Sequence, residues 1–119
     1  MKKLILLATI FASFSQAYAA SETWSCISTD KKTEIVAVVD DNSATATIDG
    51  VLLDADEISK NLTILSRDIG TRDIYHYELK LIRSEQSKAG EGSAIYYYDE
   101  SIDCLGEYHS VTELTCTVQ

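Results

Sequence analysis

The sequence feature that most constrains the fold is an alternation of apolar and β-branched polar residues with a period of two. Ala44–Ile48 reads Ala-Thr-Ala-Thr-Ile, an Asp-Gly pair follows at positions 49 and 50, and residues 51–53 are apolar again. A period of two places alternate side chains on opposite faces of a strand. Asp-Gly between two such runs favours a type I′ turn, because both residues accept the positive φ that this turn requires. The segment therefore predicts a β-hairpin.

Further short strands are predicted at regular spacing. The odd-numbered positions from 75 to 81 carry Tyr and Leu, whereas the even-numbered positions between them carry His, Glu and Lys. The segments with strand character are 24–28, 33–39, 44–48, 51–53, 62–67, 74–83, 94–98, 101–105 and 111–118, of which seven or eight are expected as separate strands of the fold. Short strands joined by tight turns indicate an all-β fold, a small antiparallel barrel or sandwich of seven to eight strands. One short helical turn is expected near residues 54–60, because the acidic start of this segment suits a helix N-terminus.

Residues 1–19 have the three parts of a secretory signal peptide. Two lysines stand at the start, a short apolar run extends to Phe14, and Ala17 and Ala19 occupy the positions that a signal peptidase reads. We expect a bacterial-type signal, cleavage, and a single mature β domain of residues 20–119 in the periplasm or outside the cell. No membrane span is expected, since no apolar run approaches the ~20 residues that a spanning helix needs.

The chain is strongly acidic. Its 119 residues include 10 Lys and Arg against 19 Asp and Glu, a formal net charge of −9. The predicted signal peptide contains two lysines and no acidic residue, so its removal changes the net charge to −11. Such a charge repels phosphate backbones and anionic lipid headgroups, so neither a nucleic acid nor a membrane surface is an expected partner. A basic protein is the partner that this charge favours.

Three cysteines remain in the predicted mature chain, and cysteines of small exported proteins usually pair. Cys104 and Cys116 are out of register if their two strands form a tight hairpin, and disulfides need Cα atoms within ~7 Å. The first and last strands are neighbours in a closed barrel, so we predict a disulfide between Cys26 and Cys116. Cys104 is then either a buried free thiol or the site of an intermolecular disulfide, which makes the protein a monomer or a Cys104-linked dimer.

Groups suited to catalysis are few. His76 and His109 are the two histidines, and Ser110 follows His109 directly, so that their side chains point apart. The sequence contains no Gly-x-Ser-x-Gly, His-Glu-x-x-His or Cys-x-x-Cys motif. We therefore expect neither an enzyme nor a cofactor.

Acidic clusters stand at residues 40–42, 54–57 and 99–103. They lack the spacing of a dedicated calcium loop, and solvated acidic turns are the favoured interpretation over weak calcium binding.

The most distinctive feature is the run of three tyrosines at residues 96–98. Consecutive positions of a strand present rings to both faces, and a further tyrosine lies in a predicted turn at 106–109. The candidate binding patch consists of Tyr96, Tyr97, Tyr98, Asp99, Glu100, Asp103, Glu107 and Tyr108. Aromatic rings are favoured at interfaces, and acidic residues speed association with a basic partner. The alternative is that the rings fill the core and expose only their hydroxyls, since both phenylalanines lie in the predicted signal peptide.

Residues 24–26 read Trp-Ser-Cys and a cysteine stands near the C-terminus. This arrangement is similar to that of bacterial lysozyme inhibitors, which are exported eight-stranded barrels with an N-terminal aromatic-x-Cys strand bridged to a C-terminal Cys. The Ser-Gly-x-x-Tyr segment of that family is absent, because residues 92–96 read Gly-Ser-Ala-Ile-Tyr. The sequence therefore assigns no family.

These observations together predict a small exported binding protein without a catalytic site, which engages a basic extracytoplasmic protein in the manner of an inhibitor. Two alternatives stay open. The chain could carry a small apolar ligand inside an eight-stranded barrel. It could instead be a structural or assembly component that associates through Cys104 or through an exposed strand edge.

Overall fold

The computed structural model describes residues 21–84, 88–103 and 105–119, which fold into a closed antiparallel barrel of eight strands. Each strand pairs with the next in sequence, and the last pairs with the first. The strands are β1 (Glu22–Ser28), β2 (Glu34–Val39), β3 (Ala44–Ile48), β4 (Val51–Ile58), β5 (Leu62–Ile69), β6 (Ile74–Ile82), β7 (Glu91–Ile102) and β8 (Gly106–Val118). The predicted all-β antiparallel fold is confirmed, as a barrel.

The predicted signal peptide, residues 1–19, lies outside the described residues. Across the described part of the chain, no helix is long and apolar enough to cross a membrane.

The hairpin of β3 and β4 shows how the alternation builds the barrel. Asp49 has a φ of 50° and Gly50 a φ of 80°, which are the two positive values of the predicted type I′ turn. Every second residue of β3 is buried, and the threonines between them are exposed. The same pattern in the other strands produces one apolar cluster inside the barrel, whose fully buried larger side chains are Ile35, Leu53, Leu65, Leu79 and Leu81.

A disulfide joins the two strands that close the barrel. Cys26 of β1 lies directly opposite Cys116 of β8, with 4.0 Å between their Cα atoms, and the two sulfurs are bonded. The predicted pairing is therefore confirmed. Cys104 lies outside the described residues, so its role stays a prediction.

The predicted helical turn at residues 54–60 is wrong, because β4 continues through this segment to Ile58. A β-bulge between Ala55 and Glu57 shifts the register against β5, which leaves one extra residue in β4. The bulge interrupts the period of two and leaves the acidic side chains of the segment exposed. Pairing with β5 supplies hydrogen-bond partners for the backbone N–H and C=O groups of this segment, which a helix would have paired internally.

The two C-terminal strands are longer than the sequence predicts. Residues 94–98 and 101–105 were expected as separate strands, but β7 runs without a break from Glu91 to Ile102. The turn expected at 106–109 belongs to β8, and the actual turn is shorter. Asp99 and Glu100 lie beyond the closed part of the barrel, where neither sheet face is fully buried, so their polarity does not mark a turn.

Unequal strand lengths give the barrel one tall side. β8 pairs with β1 only from Leu114 to Val118, whereas its pairing with β7 continues to Gly106. β5 likewise pairs with β4 only as far as Ser66. The extension, called the wall below, consists of residues 67–69, 74–77, 98–102 and 106–113. It stands at the barrel end that also carries the β1–β2 and β3–β4 turns, which form a low rim opposite it.

Candidate functional site

The structure divides the candidate patch between the two faces of the sheet formed by β7 and β8, in the wall and directly below it. Strand alternation, counted from the buried Tyr96, assigns each side chain to a face. The inner face, continuous with the barrel interior, carries Tyr96, Tyr98, Glu100 and Tyr108. The outer face carries Tyr97, Asp99 and Glu107. Asp103 lies in the β7–β8 turn between them. A partner that touches one face therefore meets only part of the predicted patch.

The inner face presents a cluster of tyrosine rings. Tyr77 of β6 lies opposite Tyr98 of β7, with 5.1 Å between ring centroids and 56° between ring planes. Tyr108 of β8 continues the cluster at 6.4 Å from the Tyr98 ring. Tyr77 and Tyr98 pack against the core, whereas Tyr108 is 56% exposed. Filling of the core therefore accounts for the innermost rings but not for Tyr108.

Carboxylates adjoin this cluster. The Tyr98 hydroxyl donates a hydrogen bond of 2.6 Å to Glu100, and this bond raises the pKa of Tyr98 well above its ordinary value. Tyr96 is 8% exposed, and its burial, followed by the charge of Asp49, raises its pKa to about 12. Both phenols are therefore neutral hydroxyls at physiological pH, and the charge of this region comes from the two carboxylates.

A pocket of about 400 Å³ lies at this end of the barrel. Tyrosines 77, 96, 98 and 108 line it from the tall side, and Thr33 and Asp49 line it from the rim. None of its lining residues is a lysine or an arginine. The pocket thus combines aromatic surface, hydroxyl groups and a negative charge.

The outer face carries a row of alternating carboxylates and imidazoles across four strands. Asp68, His76, Asp99 and His109 are successive partners in the registers of β5, β6, β7 and β8. The His76 ring contacts Asp68 through Nδ1 and Glu78 through Nε2, the latter at 3.4 Å. The His109 ring contacts Asp99 at 2.7 Å through Nδ1 and Glu107 at 3.2 Å through Nε2. Each imidazole therefore bridges two carboxylates.

This arrangement favours the protonated form of both imidazoles. Hydrogen bonds from the His109 ring to Asp99 and Glu107 raise the pKa of His109. Burial lowers the pKa of His76, but hydrogen bonds to Asp68 and Glu78 outweigh it, and the net shift is upward. A protonated imidazole donates from both nitrogens, which is what two carboxylate acceptors require.

The two histidines should make stability depend on pH near neutrality. Their folded-state pKa values lie above the unfolded value of ~6.5, so their contribution is complete below pH ~6.5 and is lost as the pH rises through the folded pKa. We expect the free energy of unfolding to fall between pH 6 and pH 8 in the wild type, and to fall less in the His76→Gln, His109→Gln double variant. Urea denaturation at several pH values measures this difference. Identical slopes for the two proteins would contradict the expectation.

Two further acidic residues, Asp103 and Asp40, hold turns in place. Asp103 forms an ion pair of 2.7 Å with Arg72, and its backbone N–H donates to Asp73, so that it joins the β5–β6 and β7–β8 turns. Asp40 accepts backbone hydrogen bonds from Asn42 and Ser43, which lower its pKa. Asp40 thus caps the β2–β3 turn.

Within the described ranges, no three His, Cys, Asp or Glu side chains are grouped so that they could hold a metal ion.

His109 and Ser110 lie on opposite faces of β8. The imidazole belongs to the outer row, whereas Ser110 lines the pocket on the inner face. The two side chains therefore do not meet within this chain.

The chain has no match among protein-family models, curated proteins or solved structures.

Five residues that line the pocket were missing from the predicted patch: Thr33, Asp49, Tyr77, Ser110 and Thr112. The alternation in residues 74–83 places Tyr77 on the apolar face of its strand, but only the pairing of β6 with β7 brings it beside Tyr98. The Asp-Gly pair marks Asp49 as a turn residue. Nothing in the local sequence indicates that this turn faces a tyrosine cluster about fifty residues further along the chain.

Proposed function

We propose that this protein is an exported binding protein without a catalytic site, which captures a basic extracytoplasmic protein and blocks it as an inhibitor does. The contact surface is the wall together with the rim opposite it. A cationic hydrolase is the class of partner that fits best, because the strongly negative chain attracts it and an inhibitor gains from fast association.

The observation that carries this proposal is the composition of the inner face of the wall. Tyr108 exposes more than half of its surface, Tyr98 extends the aromatic surface inward, and Glu100 holds a negative charge beside them. Exposed tyrosines next to carboxylates offer apolar contact area and charge complementarity in one place. The wall extends this surface beyond the barrel, where a folded partner can reach it.

The barrel interior gives the carrier alternative little support. The side chains directed inward from the strands form one buried cluster in which Leu53, Leu65 and Leu79 have no exposed surface. A ligand on the barrel axis would have to displace these side chains, and interiors packed in this way resist such changes.

The edge of β8 favours assembly as a second candidate function. In the part of the chain described, residues 106–113 extend past the last β1 partner, and Val111 on this edge is 62% exposed. A strand edge of this kind is a template for pairing with another chain. Native mass spectrometry of the oxidised protein distinguishes the two functions, since assembly requires a defined oligomer and an inhibitor does not.

Binding to purified basic hydrolases tests the proposal directly. The mature oxidised protein is immobilised, and basic hydrolases, lysozymes among them, are applied beside acidic hydrolases at 0.15 M salt and above. Long-range attraction between exposed charges is largely screened at this salt concentration. We expect saturable binding of a basic hydrolase, with loss of its activity, and a roughly tenfold weaker affinity for Glu100→Lys.

Asp41→Lys is the matched control. It makes the same change in net charge, but it lies in the β2–β3 turn at the opposite end of the barrel. We expect it to bind almost as the wild type does. Equal losses in the two variants would show that only net charge matters, and binding of no basic hydrolase at 0.15 M salt would overturn the proposal.

A further inference from the structure

The pocket at the mouth of the barrel has a shape that the proposed function does not by itself require. It lies between the tall wall and the low rim, so that side chains from distant parts of the sequence surround one volume of about 400 Å³. Three of its tyrosines belong to one continuous cluster, with ring centroids 5.1 Å and 6.4 Å apart and ring planes tilted by 56° and 59°. Tilted neighbouring rings form a curved surface rather than a flat stack.

The charged groups at this pocket are carboxylates, and Arg67, which lies opposite Tyr77 on the same face of the wall, does not line it. Asp49 lines it from the β3–β4 turn, close enough to Tyr96 for its charge to affect that phenol. Glu100 adjoins it through the hydroxyl of Tyr98. No lysine or arginine lines the pocket, so these carboxylates are not neutralised from within it. The face of an aromatic ring is also negative, because of the ring quadrupole.

Aromatic faces and carboxylates together select an organic cation. A cation within about 6 Å of a ring centroid is attracted by the quadrupole, and a nearby carboxylate adds charge attraction. An anion would be repelled by both groups. A purely apolar ligand would cover the Asp49 carboxylate without giving it a hydrogen bond.

We propose that this pocket receives the cationic side chain of an arginine or lysine that projects from the basic partner protein. The inference rests on the proposed function, and it identifies the point at which the partner is anchored. A side chain that projects from a folded protein can enter a pocket open at the end of the barrel, while the wall contacts the surface around it. The pocket then supplies the buried anchor that a small interface needs.

Small analogues of the anchoring side chain test the pocket without any partner protein. The mature oxidised protein is titrated with N-acetyl-arginine amide, N-acetyl-lysine amide and N-acetyl-citrulline amide, and the NMR signals of the tyrosine rings are followed. Citrulline keeps the shape of arginine but has no charge. We expect saturable shifts of the pocket tyrosines with at least one of the cationic analogues, and none with the citrulline analogue over the same concentrations.

Variants locate the binding. Tyr108→Leu removes an exposed ring, and Asp49→Asn removes a charge with a residue that tolerates the positive φ of this position. Each should weaken the affinity about two- to fivefold. Tyr108→Phe keeps the ring and should bind as the wild type does. Tyr97→Leu removes a ring from the outer face and should leave the affinity unchanged.

The outcomes separate this inference from the proposed function. Binding of a basic hydrolase without saturable binding of either cationic analogue overturns the pocket and leaves the proposed function intact. Equal binding of the citrulline analogue also overturns it. Tetramethylammonium that binds at least about tenfold more tightly than either cationic analogue would assign the pocket to a free quaternary amine instead. A pocket that binds the cationic analogues in a protein that captures no basic hydrolase would overturn the proposed function.

Discussion

Loss of the disulfide between Cys26 and Cys116 should lower the free energy of unfolding by about 4–5 kcal/mol at most, through the larger conformational freedom of the unfolded chain. The bond joins residues 90 positions apart, so it constrains almost the whole described domain. Small domains are stable by only ~5–15 kcal/mol, so this loss is a large part of the total. Urea denaturation of a variant with Cys26→Ala and Cys116→Ala measures it.

The comparison requires a fixed state of the third cysteine. Cys104→Ser is therefore introduced into both proteins, and it is also measured alone so that its own effect on stability is known. Reduction of the Cys104→Ser protein with the two other cysteines intact separates the covalent bond from side-chain packing, because both sulfurs then remain in the core. If oxidised and reduced proteins unfold at the same urea concentration, the disulfide does not stabilise the barrel.

The fold was predictable where the local sequence pattern and the closure of the barrel favour the same strand pairing. The period of two in β3 and the Asp-Gly pair after it are sufficient to predict a hairpin, and the φ values of Asp49 and Gly50 are those of the predicted turn. The pairing of Cys26 with Cys116 follows from closure, because closing a sheet of strands in sequence order brings the first and last strands together.

The errors lie where strands depart from a simple alternation. The bulge at residues 55–57 breaks the period, and an acidic segment without a period resembles the start of a helix. In β7, the polar residues at 99 and 100 belong to a part of the strand that extends beyond the closed barrel. Their polarity therefore does not mark a turn, because neither face of the wall is fully buried.

The candidate site was predictable residue by residue but not as a surface. Sequence proximity groups Tyr97 with Tyr98, whereas strand alternation separates them onto opposite faces. Tyr77 joins Tyr98 only through the register of β6 and β7, and Asp49 approaches Tyr96 only because the barrel closes. The pocket therefore depends on strand order and register, and no short segment of the sequence determines either of them.

Substitution of Gly92 should also have a large effect, because this glycine makes room for the single tryptophan. A Cβ at Gly92 would lie 2.4 Å from Cζ3 and 2.8 Å from Cη2 of Trp24, which is 4% exposed. The indole is also held by a hydrogen bond to Glu22 and by the guanidinium of Arg83, 5.3 Å from the ring, so it has little freedom to move. We expect Gly92→Ala to lower the free energy of unfolding by about 1–3 kcal/mol, as overpacking of a core does. Urea denaturation followed by circular dichroism measures this loss.

A double-mutant cycle with Trp24→Leu identifies the cause. The smaller leucine vacates the space that the new methyl group needs, so Gly92→Ala should cost little in that background. Without the clash, alanine would even stabilise a strand slightly by reducing the freedom of the unfolded chain. Ser93→Ala is the matched control, since Ser93 is the exposed neighbour on the opposite face of β7, and it should change stability by less than about 0.5 kcal/mol. An equal cost of Gly92→Ala with tryptophan and with leucine at position 24 would show that the indole is not what requires the glycine.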